Sequence, residues 1–293
     1  MNSSEQLSPL LRKHGLEILG EKIQSAVHPA ILFRKQMRSE TVTGKSSFFG
    51  LIPGKPKSVN RPQPLTPGCS HLGGLPELPS GFEWPRWKGR PLTLMAQINC
   101  AETARIETEG LWPKSGTLYF FYDLKEQPWG GTVGDIGSWV VKFVEEPNLQ
   151  PTPAPSEIRE FVLPGYAVKP ERFSTLPGQS TRAFESLGLD EVQSEGFIEL
   201  SWELKHNICG NESMHQSLGY ADNIQGDVRD EWEELSGKAR MDGEGDWKLL
   251  LQFDTDNELN VMWGDAGMLY FGIRESDFRA RKFENVMMTM QCS

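Results

Sequence analysis

The sequence predicts an α+β protein: a mainly antiparallel β-sheet built from two related β units, with peripheral short helices at the N-terminus and in mid-chain. Three observations carry this. Short apolar or aromatic runs alternate with clusters of Gly, Pro, Asn and Asp, the pattern of strands between turns. The pattern W-x-x-x-G-x-L-Y-F occurs twice, from Trp112 and from Trp263. Leucines and isoleucines near the N-terminus recur at helical spacing.

In chain order, Ser3 and Ser4 precede Leu7, Leu10 and Leu11, with Gly15 as a stop; Leu16, Ile18, Leu19 and Ile23 then repeat the spacing. Two short helices packing onto a β core are expected. Pro53, Pro56, Pro62, Pro64 and Pro67 make one proline-rich stretch, and Pro147, Pro151, Pro153 and Pro155 a second. Proline fixes φ and lacks an N–H, so both are expected as extended surface connections, neither helix nor central strand. Lys55, Lys57 and Arg61 make the first one basic, either a solvated linker or an anion-binding loop. Strands are expected over 92–98, 117–122, 139–144, 197–200, 248–253 and 268–273, with 286–290 as a last one. Helices are expected over 155–161 and around Glu203. The domain reading is a single unit over 1–293. It comprises a helical and strand segment (1–52), a first β unit (68–146), a connecting segment (147–205) and a second β unit (206–293). Each β unit alone offers few strands and would leave an apolar face open, which favours one domain over two.

The two copies share Trp, Gly, Leu, Tyr and Phe at fixed spacing. Upstream of each lies an apolar run ending in glutamine, Leu94 to Gln97 and Leu249 to Gln252. In the second copy, 259–263 reads as a strand and 264–267 as a turn, with Gly267 supplying a positive φ and Trp263 packing on Tyr270 across the hairpin. Aromatic packing alone explains the motif. The functional alternative is that Gln97, Gln252, Trp112 and Trp263 meet near a pseudo-two-fold axis and line a shared pocket, because a buried glutamine must find partners.

Thirty basic against forty acidic residues give a net charge of −10, which argues against a phosphate-tracking nucleic-acid binder and favours basic partners. The longest uninterrupted apolar run, Leu118 to Tyr122, is too short to span a bilayer, and the first ten residues lack an apolar h-region. Four widely spaced cysteines do not make a disulfide scaffold. A cytoplasmic location is expected.

Several catalytic motifs fail on inspection. Gly44-Lys45-Ser46 lacks the upstream glycine of a phosphate loop, where Ser39 stands. The glycines from Gly130 to Gly137 lead into a strand and not the helix a dinucleotide fingerprint requires. Gly68-Cys69-Ser70-His71-Leu72-Gly73 has its second glycine one position too far for a nucleophile elbow. Cys69, His71, His206 and Cys209 offer zinc-type ligands without a Cys-x-x-Cys pair. Asp254-x-Asp256-x-Glu258 alternates like a calcium loop, but Leu259 and Asp265 stand where an EF-hand needs Gly and Glu. A hairpin turn over 254–257 explains these acids. A weak divalent-metal site from Asp254, Asp256 and Asp265 is the alternative, and no other cofactor is expected.

The chain resembles the YwqG-like family of bacterial proteins, a domain of unknown function. The matching residues are Ser70, Gly73-Gly74-Leu75-Pro76, Leu78-Pro79 and Trp84-Pro85. Then come Met95-Ala96-Gln97-Ile98 and Gly116-x-Leu118-x-Phe120-Phe121, followed by His215, Leu218-Gly219-Tyr220 and Ile224-Gln225-Gly226-Asp227. The last block runs from Trp247-x-Leu249-Leu250-Leu251-Gln252 to Met262-Trp263-Gly264-Asp265 and Gly267-x-Leu269-Tyr270-Phe271. The resemblance implies a bacterial cytosolic α+β protein and brings no established activity, cofactor or catalytic residue.

With no catalytic constellation and several tryptophans in loop-like contexts, a binding or interaction module is the leading expectation. It would recognise a protein, basic by charge complementarity, or a small molecule, through a surface bearing Gln97, Trp112, His215, Gln225, Asp227, Gln252 and Trp263. The alternative is a small-molecule or metal-dependent enzyme using His215, Asp222, Gln225 and Asp227 with Asp254 and Asp265. A plainer account has His215 bonding a turn and Asp227 capping a helix.

Overall fold

A computed structural model describes residues 3–45, 53–239 and 246–293, without the side chains of 3–6, 42–45, 53–57, 238 and 239. Helices α1 (Ser3–Lys13) and α2 (Gly20–Ser25) precede strand β1 (His28–Lys35) and the antiparallel pair β2 (Met37–Lys45) and β3 (Pro53–Pro62). Four two-residue strands follow: β4 (His71–Leu72), β5 (Glu77–Leu78), β6 (Arg86–Trp87) and β7 (Arg90–Pro91). Strand β8 (Thr93–Asn99) runs into α3 (Cys100–Ala104), and β9 (Thr117–Tyr122) and β10 (Trp139–Val144) come next. The middle of the chain holds β11 (Gln150–Pro151), β12 (Tyr166–Thr175), α4 (Arg182–Glu185) and α5 (Glu191–Cys209). The last part holds β13 (Gln216–Leu218), α6 (Val228–Ala239), β14 (Trp247–Asp254), β15 (Met268–Arg274), α7 (Glu275–Ala280) and β16 (Met287–Gln291).

The fold is α+β. Its main sheet has ten strands in the order β10-β9-β8-β4-β12-β1-β13-β14-β15-β16, and every neighbouring pair is antiparallel. The order is symmetric about the β12–β1 pair. Moving outward, β4 corresponds to β13, β8 to β14, β9 to β15 and β10 to β16. The correspondence extends to register. Gln97 lies opposite Tyr119 and Gln252 opposite Tyr270, and each glutamine strand carries a bulge, at Leu94/Ala96 and at Leu249/Leu251.

The sheet folds back on itself. Phe120 of β9 meets Phe271 of β15 with ring centroids 5.4 Å apart, and Trp139 Nε1 donates to Val286 O at 2.7 Å. Side chains alternate along a strand, so Leu118, Phe120 and Tyr122 face the second half. Tyr119 and Phe121 face outward onto Leu78, Trp87 and Leu92. Each fully buried aromatic contributes about 1.5–3 kcal/mol by leaving water. On the outer side of the second half, α6 lays Trp232 across Gly272; a Cβ there would lie 2.2 Å from the indole, so only glycine permits this approach.

Segment 147–205, expected to connect, contributes β12 at the sheet centre. Pro170 sits in it without penalty. It pairs with Phe33, whose N–H points away to His215 O, so the proline nitrogen faces the opposite side, where the two residues of β4 do not reach.

Several expectations need correction. Residues 197–200 are helical, inside α5, whose start is fixed by a capping box between Asp190 and Gln193. Residues 155–161 form a short 3-10 helix over Ser156–Phe161. The N-terminal helices pack chiefly on α5, through Leu7, Leu10, Leu11, Leu16 and Ile23 against Phe197, Leu200 and Leu204, while Ile18 is 99% exposed. The first proline-rich stretch forms β3, which pairs outside the main sheet, and part of the second forms β11, which pairs with β5. Arg61 bonds Glu40, whereas Ser46 and the side chains of Lys55 and Lys57 lie outside the described residues. Residues 259–263 are not a strand and make a single bridge, Asp256 to Val261. In the following turn Gly264 and Ala266 take the positive φ, both +54°. Gly267 is required for close approach instead, since a Cβ would fall 2.0 Å from Gln291 O. Trp263 packs on Tyr122 and Phe253 and not on Tyr270, whose hydroxyl donates to Asp222 O.

Candidate functional site

Most polar residues singled out by the sequence are tied into the corresponding scaffolds of the two halves. Gln97 Oε1 accepts from Glu77 N at 2.8 Å, and Gln252 Oε1 accepts from Asp222 N at 2.9 Å. Their Nε2 groups donate to Cys69 O and Met214 O. The paired tyrosines complete each clamp: Tyr119 donates to Glu77 O and Tyr270 to Asp222 O. Each glutamine therefore pins the loop that follows the short strand of its own half. The two glutamines lie on strands five positions apart in the sheet order, and their hydrogen bonds share no partner.

His215 belongs to a second matched device. Ser70 Oγ accepts from Asn99 N at 2.9 Å and donates to Glu102 at 2.6 Å. His215 Nδ1 accepts from Asp254 N at 3.3 Å, which makes the neutral ring an Nε2–H tautomer that donates to Asp256 at 3.0 Å. A serine does in one half what a histidine does in the other. Lys35 closes the second version, with Nζ 2.6 Å from Asp256. Burial pushes the Asp256 carboxyl up, but hydrogen bonds from His215 and Lys35 outweigh it and hold the carboxyl below its ordinary value. Lys35, 221 residues away in sequence, was not foreseen.

The other expected site residues scatter. Trp112 packs on Phe33 and Phe278, and the ring contacts of Trp263 are with Tyr122 and Phe253. Both indole N–H groups are buried without partners. Asp254 accepts from Met214 N, and burial raises its carboxyl. Asp265 is exposed on a turn, so it does not join Asp254 and Asp256 around a common point. Among the described residues no three His, Cys, Asp or Glu side chains form a metal-binding group, the proposed zinc ligands included. Gln225 is exposed and its N–H donates to Gln291 Oε1. Asp227 caps the start of α6 through Arg229 N at 3.1 Å. Among the described residues no helix is long and apolar enough to cross a membrane.

Asp227 also belongs to a cleft where the correspondence between the halves breaks down. A cavity of about 100 Å³ opens between the start of β1, the loop after β13, α6 and the start of β14. Tyr220 stacks on His28 at 4.5 Å. Arg229 chelates Asp227 through Nε and Nη2, a hydrogen bond that raises the guanidinium pKa. Lys248 reaches Glu109 at 2.8 Å; burial lowers its pKa, and the bond to Glu109 more than restores it. Burial lowers the pKa of His28 and raises that of Tyr220, so both are neutral at pH 7. Trp232, 1% exposed, is among the residues around the cavity, and its indole N–H is buried without an acceptor, as are those of Trp112 and Trp263. Counting from the glutamine clamps, Tyr220 occupies the place of Leu75 and Leu218 that of Gly73. Leu218 keeps that glycine's conformation, φ +60° at both, which costs a non-glycine residue about 1–2 kcal/mol. Strain of this kind is characteristic of functional loops.

The scaffolds that recur, from Ser70 near the start to Gln291 near the end, coincide with the span of one known family. A family described as a domain of unknown function, DUF1963, matches residues 70–292. The chain belongs to the DUF1963 family. Among curated proteins, none matches it. The DUF1963 domain includes both glutamine clamps, the Ser70 and His215 devices apart from Lys35, and most of the cleft; Lys35 and His28, both on β1, come from outside the matched span.

Beside the first cavity, across Tyr220, Ala221 and Asn223, the DUF1963 domain has a second one of about 90 Å³ beneath α5. Lys205 and Asp222 form an ion pair at this cavity. The groups gathered around the first cavity are aromatic faces and side chains of both charges. They set the ring of Tyr220 and two ion pairs, Asp227–Arg229 and Glu109–Lys248, around one opening.

Proposed function

We propose that this protein is a binding module and that its ligand is a small, planar, polar molecule held in the cleft between β1, α6 and the loop after β13. One observation carries the reading: the Asp227–Arg229 and Glu109–Lys248 pairs and the ring of Tyr220 converge on one cavity, beside a loop in which the strained Leu218 stands where the first half has Gly73. Tyr220 supplies an aromatic ring beside His28, and the Asp227–Arg229 and Glu109–Lys248 pairs suit a ligand carrying both donors and acceptors. The matched halves support an internal duplication within one structural unit over 1–293, after which only the second half kept a ligand site. The sequence blocks support placing the chain in the YwqG-like branch, with a bacterial, cytoplasmic setting.

The test is the melting temperature against a panel of aromatic amino acids and nucleobases. A ligand at 100 times its Kd adds about 2.7 kcal/mol, which for a chain of this size raises the midpoint by roughly 5 °C. The shift is expected to vanish in Tyr220→Ala. A flat panel, or a shift that persists in that variant, contradicts the reading.

One observation favours a second reading, a basic protein partner. Helix α5 exposes Trp202 (65%) and Ile198 (38%) on a surface that also carries Glu195 and Glu199. Acidic rims around an apolar stripe complement a basic amphipathic segment. Salt-sensitive binding of a Lys/Leu-rich helical peptide, lost in Trp202→Ser, supports this surface; indifference to salt and to the substitution rejects it.

A further inference from the structure

We propose that β1 and β12 are the equivalent first strands of the two duplicated units and that the units have exchanged them, which makes β1 a strap that locks the second half from outside the DUF1963 span. In chain order the main sheet is built from two sets of five strands. The first is β1, β4, β8, β9 and β10, and the second is β12, β13, β14, β15 and β16. In the sheet, the first member of each set lies in the other half: β12 pairs with β4, and β1 pairs with β13.

The equivalence of β1 and β12 rests on hydrogen bonds and register. Phe33 N donates to His215 O at 2.8 Å, and Val168 N donates to Ser70 O at 2.9 Å. Ser70 and His215 are themselves the matched residues of the two halves. One position on, Leu32 lies opposite Gln216 and Ala167 lies opposite His71. Gln216 and His71 in turn lie opposite the clamp glutamines, Gln252 and Gln97. Phe33 therefore corresponds to Val168, Leu32 to Ala167 and Arg34 to Lys169. Arg34 is also the strand partner of Lys169. A residue paired with its own counterpart marks a two-fold axis, so the axis of the duplication passes between these two strands and the exchange is reciprocal.

The exchange has a physical consequence. Strand β1 is bonded along both edges, to β12 and to β13, and Ala30, Ile31, Leu32 and Phe33 are all buried. Ile31 and Phe33 belong to the main core, while Ala30 and Leu32 pack with Phe173, Cys209 and Met214. Both ends of β1 serve the second half: His28 stacks on Tyr220 at the cleft, and Lys35 reaches Asp256. Unseating β1 strips backbone partners from β12 and β13 together and leaves two raw strand edges in the middle of the sheet. Neither half is complete within its own stretch of chain, so neither opens alone. The span 70–292 by itself lacks a central strand of its own sheet. None of this depends on what the cleft binds.

The experiment uses the full chain. Hydrogen exchange is followed at the slowest amides of β8 and β14, which lie in different halves. Equal protection of the two is expected, because both require the same opening. Phe33→Leu and Val168→Ala change equivalent positions of β1 and β12. Each is expected to lower protection in β8 and β14 by one common factor, about 10-fold. Unequal protection in the unmodified chain, a fall confined to one half, or no fall in either would overturn the proposal. A second measurement does not depend on the variants folding. A protease site placed between Lys45 and Pro53 severs β1 from β4 while every residue of the protein stays present. The N-terminal piece is expected to co-elute with the remainder and to leave only when the remainder unfolds. A remainder that stays folded after releasing the piece would overturn the proposal.

Discussion

Asp256→Ala is expected to destabilise the protein by about 3–5 kcal/mol, the cost of removing one member of a buried charged network. The carboxylate is 1% exposed and serves four partners. Oδ2 receives Lys35 and His215, and Oδ1 receives the N–H groups of Glu258 and Leu259. Alanine strands the ammonium of Lys35, 8% exposed, with only the half-exposed Glu258 in reach. Removing the cation as well should help. The double variant Asp256→Ala/Lys35→Met is expected to be more stable than Asp256→Ala alone, because the uncompensated charge is gone. The pH dependence has a definite sign. The folded-state carboxyl is depressed below its unfolded value of 3.8. Its contribution is therefore complete above that value and is lost as the pH falls toward the lower folded value. Urea denaturation should show a constant gap between wild type and Asp256→Ala from pH 5 to 8, narrowing below about pH 4. A gap that widens in acid contradicts the assignment.

Gln252→Leu is expected to cost about 2–4 kcal/mol, because it strips the partners from two backbone groups, Asp222 N–H and Met214 C=O. Leucine matches the volume and keeps the apolar contacts, so the loss reports the hydrogen bonds. Gln97→Leu removes the equivalent pair, Glu77 N–H and Cys69 C=O, and is expected to cost a similar amount. The two sites share no hydrogen-bond partner, so the double variant should show the sum within about 0.5 kcal/mol. Strong non-additivity in chemical denaturation would mean that the two glutamines communicate, as in a shared pocket.

The sequence and the structure agree where a pattern is local and complete. Both W-x-x-x-G-x-L-Y-F copies lead into the expected strands, β9 and β15, and each upstream run ends in a glutamine at the matching register. Residues 197–200 went astray because Phe197, Ile198 and Leu200 around a single glutamate do not distinguish a strand from the buried face of a helix; the Asp190–Gln193 capping signal was the available clue. Strand β12 was hidden by Lys169, Pro170, Glu171 and Arg172, which read as a connection until the short reach of β4 is known. The pocket around the glutamines failed for a physical reason. A buried amide is satisfied by backbone as readily as by ligand, and only coordinates tell which. Lys35 and Asp256, or His28 and Tyr220, are joined by topology across most of the chain, which no spacing rule reveals. The unpaired atoms of Trp232 and Gln216 are defects in hydrogen bonding and have no sequence signature at all.

The central claim is that the matched polar residues are scaffold and that recognition belongs to the unmatched cleft. Calorimetric titration of the best panel ligand into Gln97→Leu and Tyr220→Ala, side by side at low temperature where both are folded, tests it most directly. Wild-type affinity in Gln97→Leu with at least about a tenfold loss in Tyr220→Ala, roughly 1.4 kcal/mol, is the predicted result. Loss of affinity in Gln97→Leu with Tyr220→Ala unaffected would contradict it.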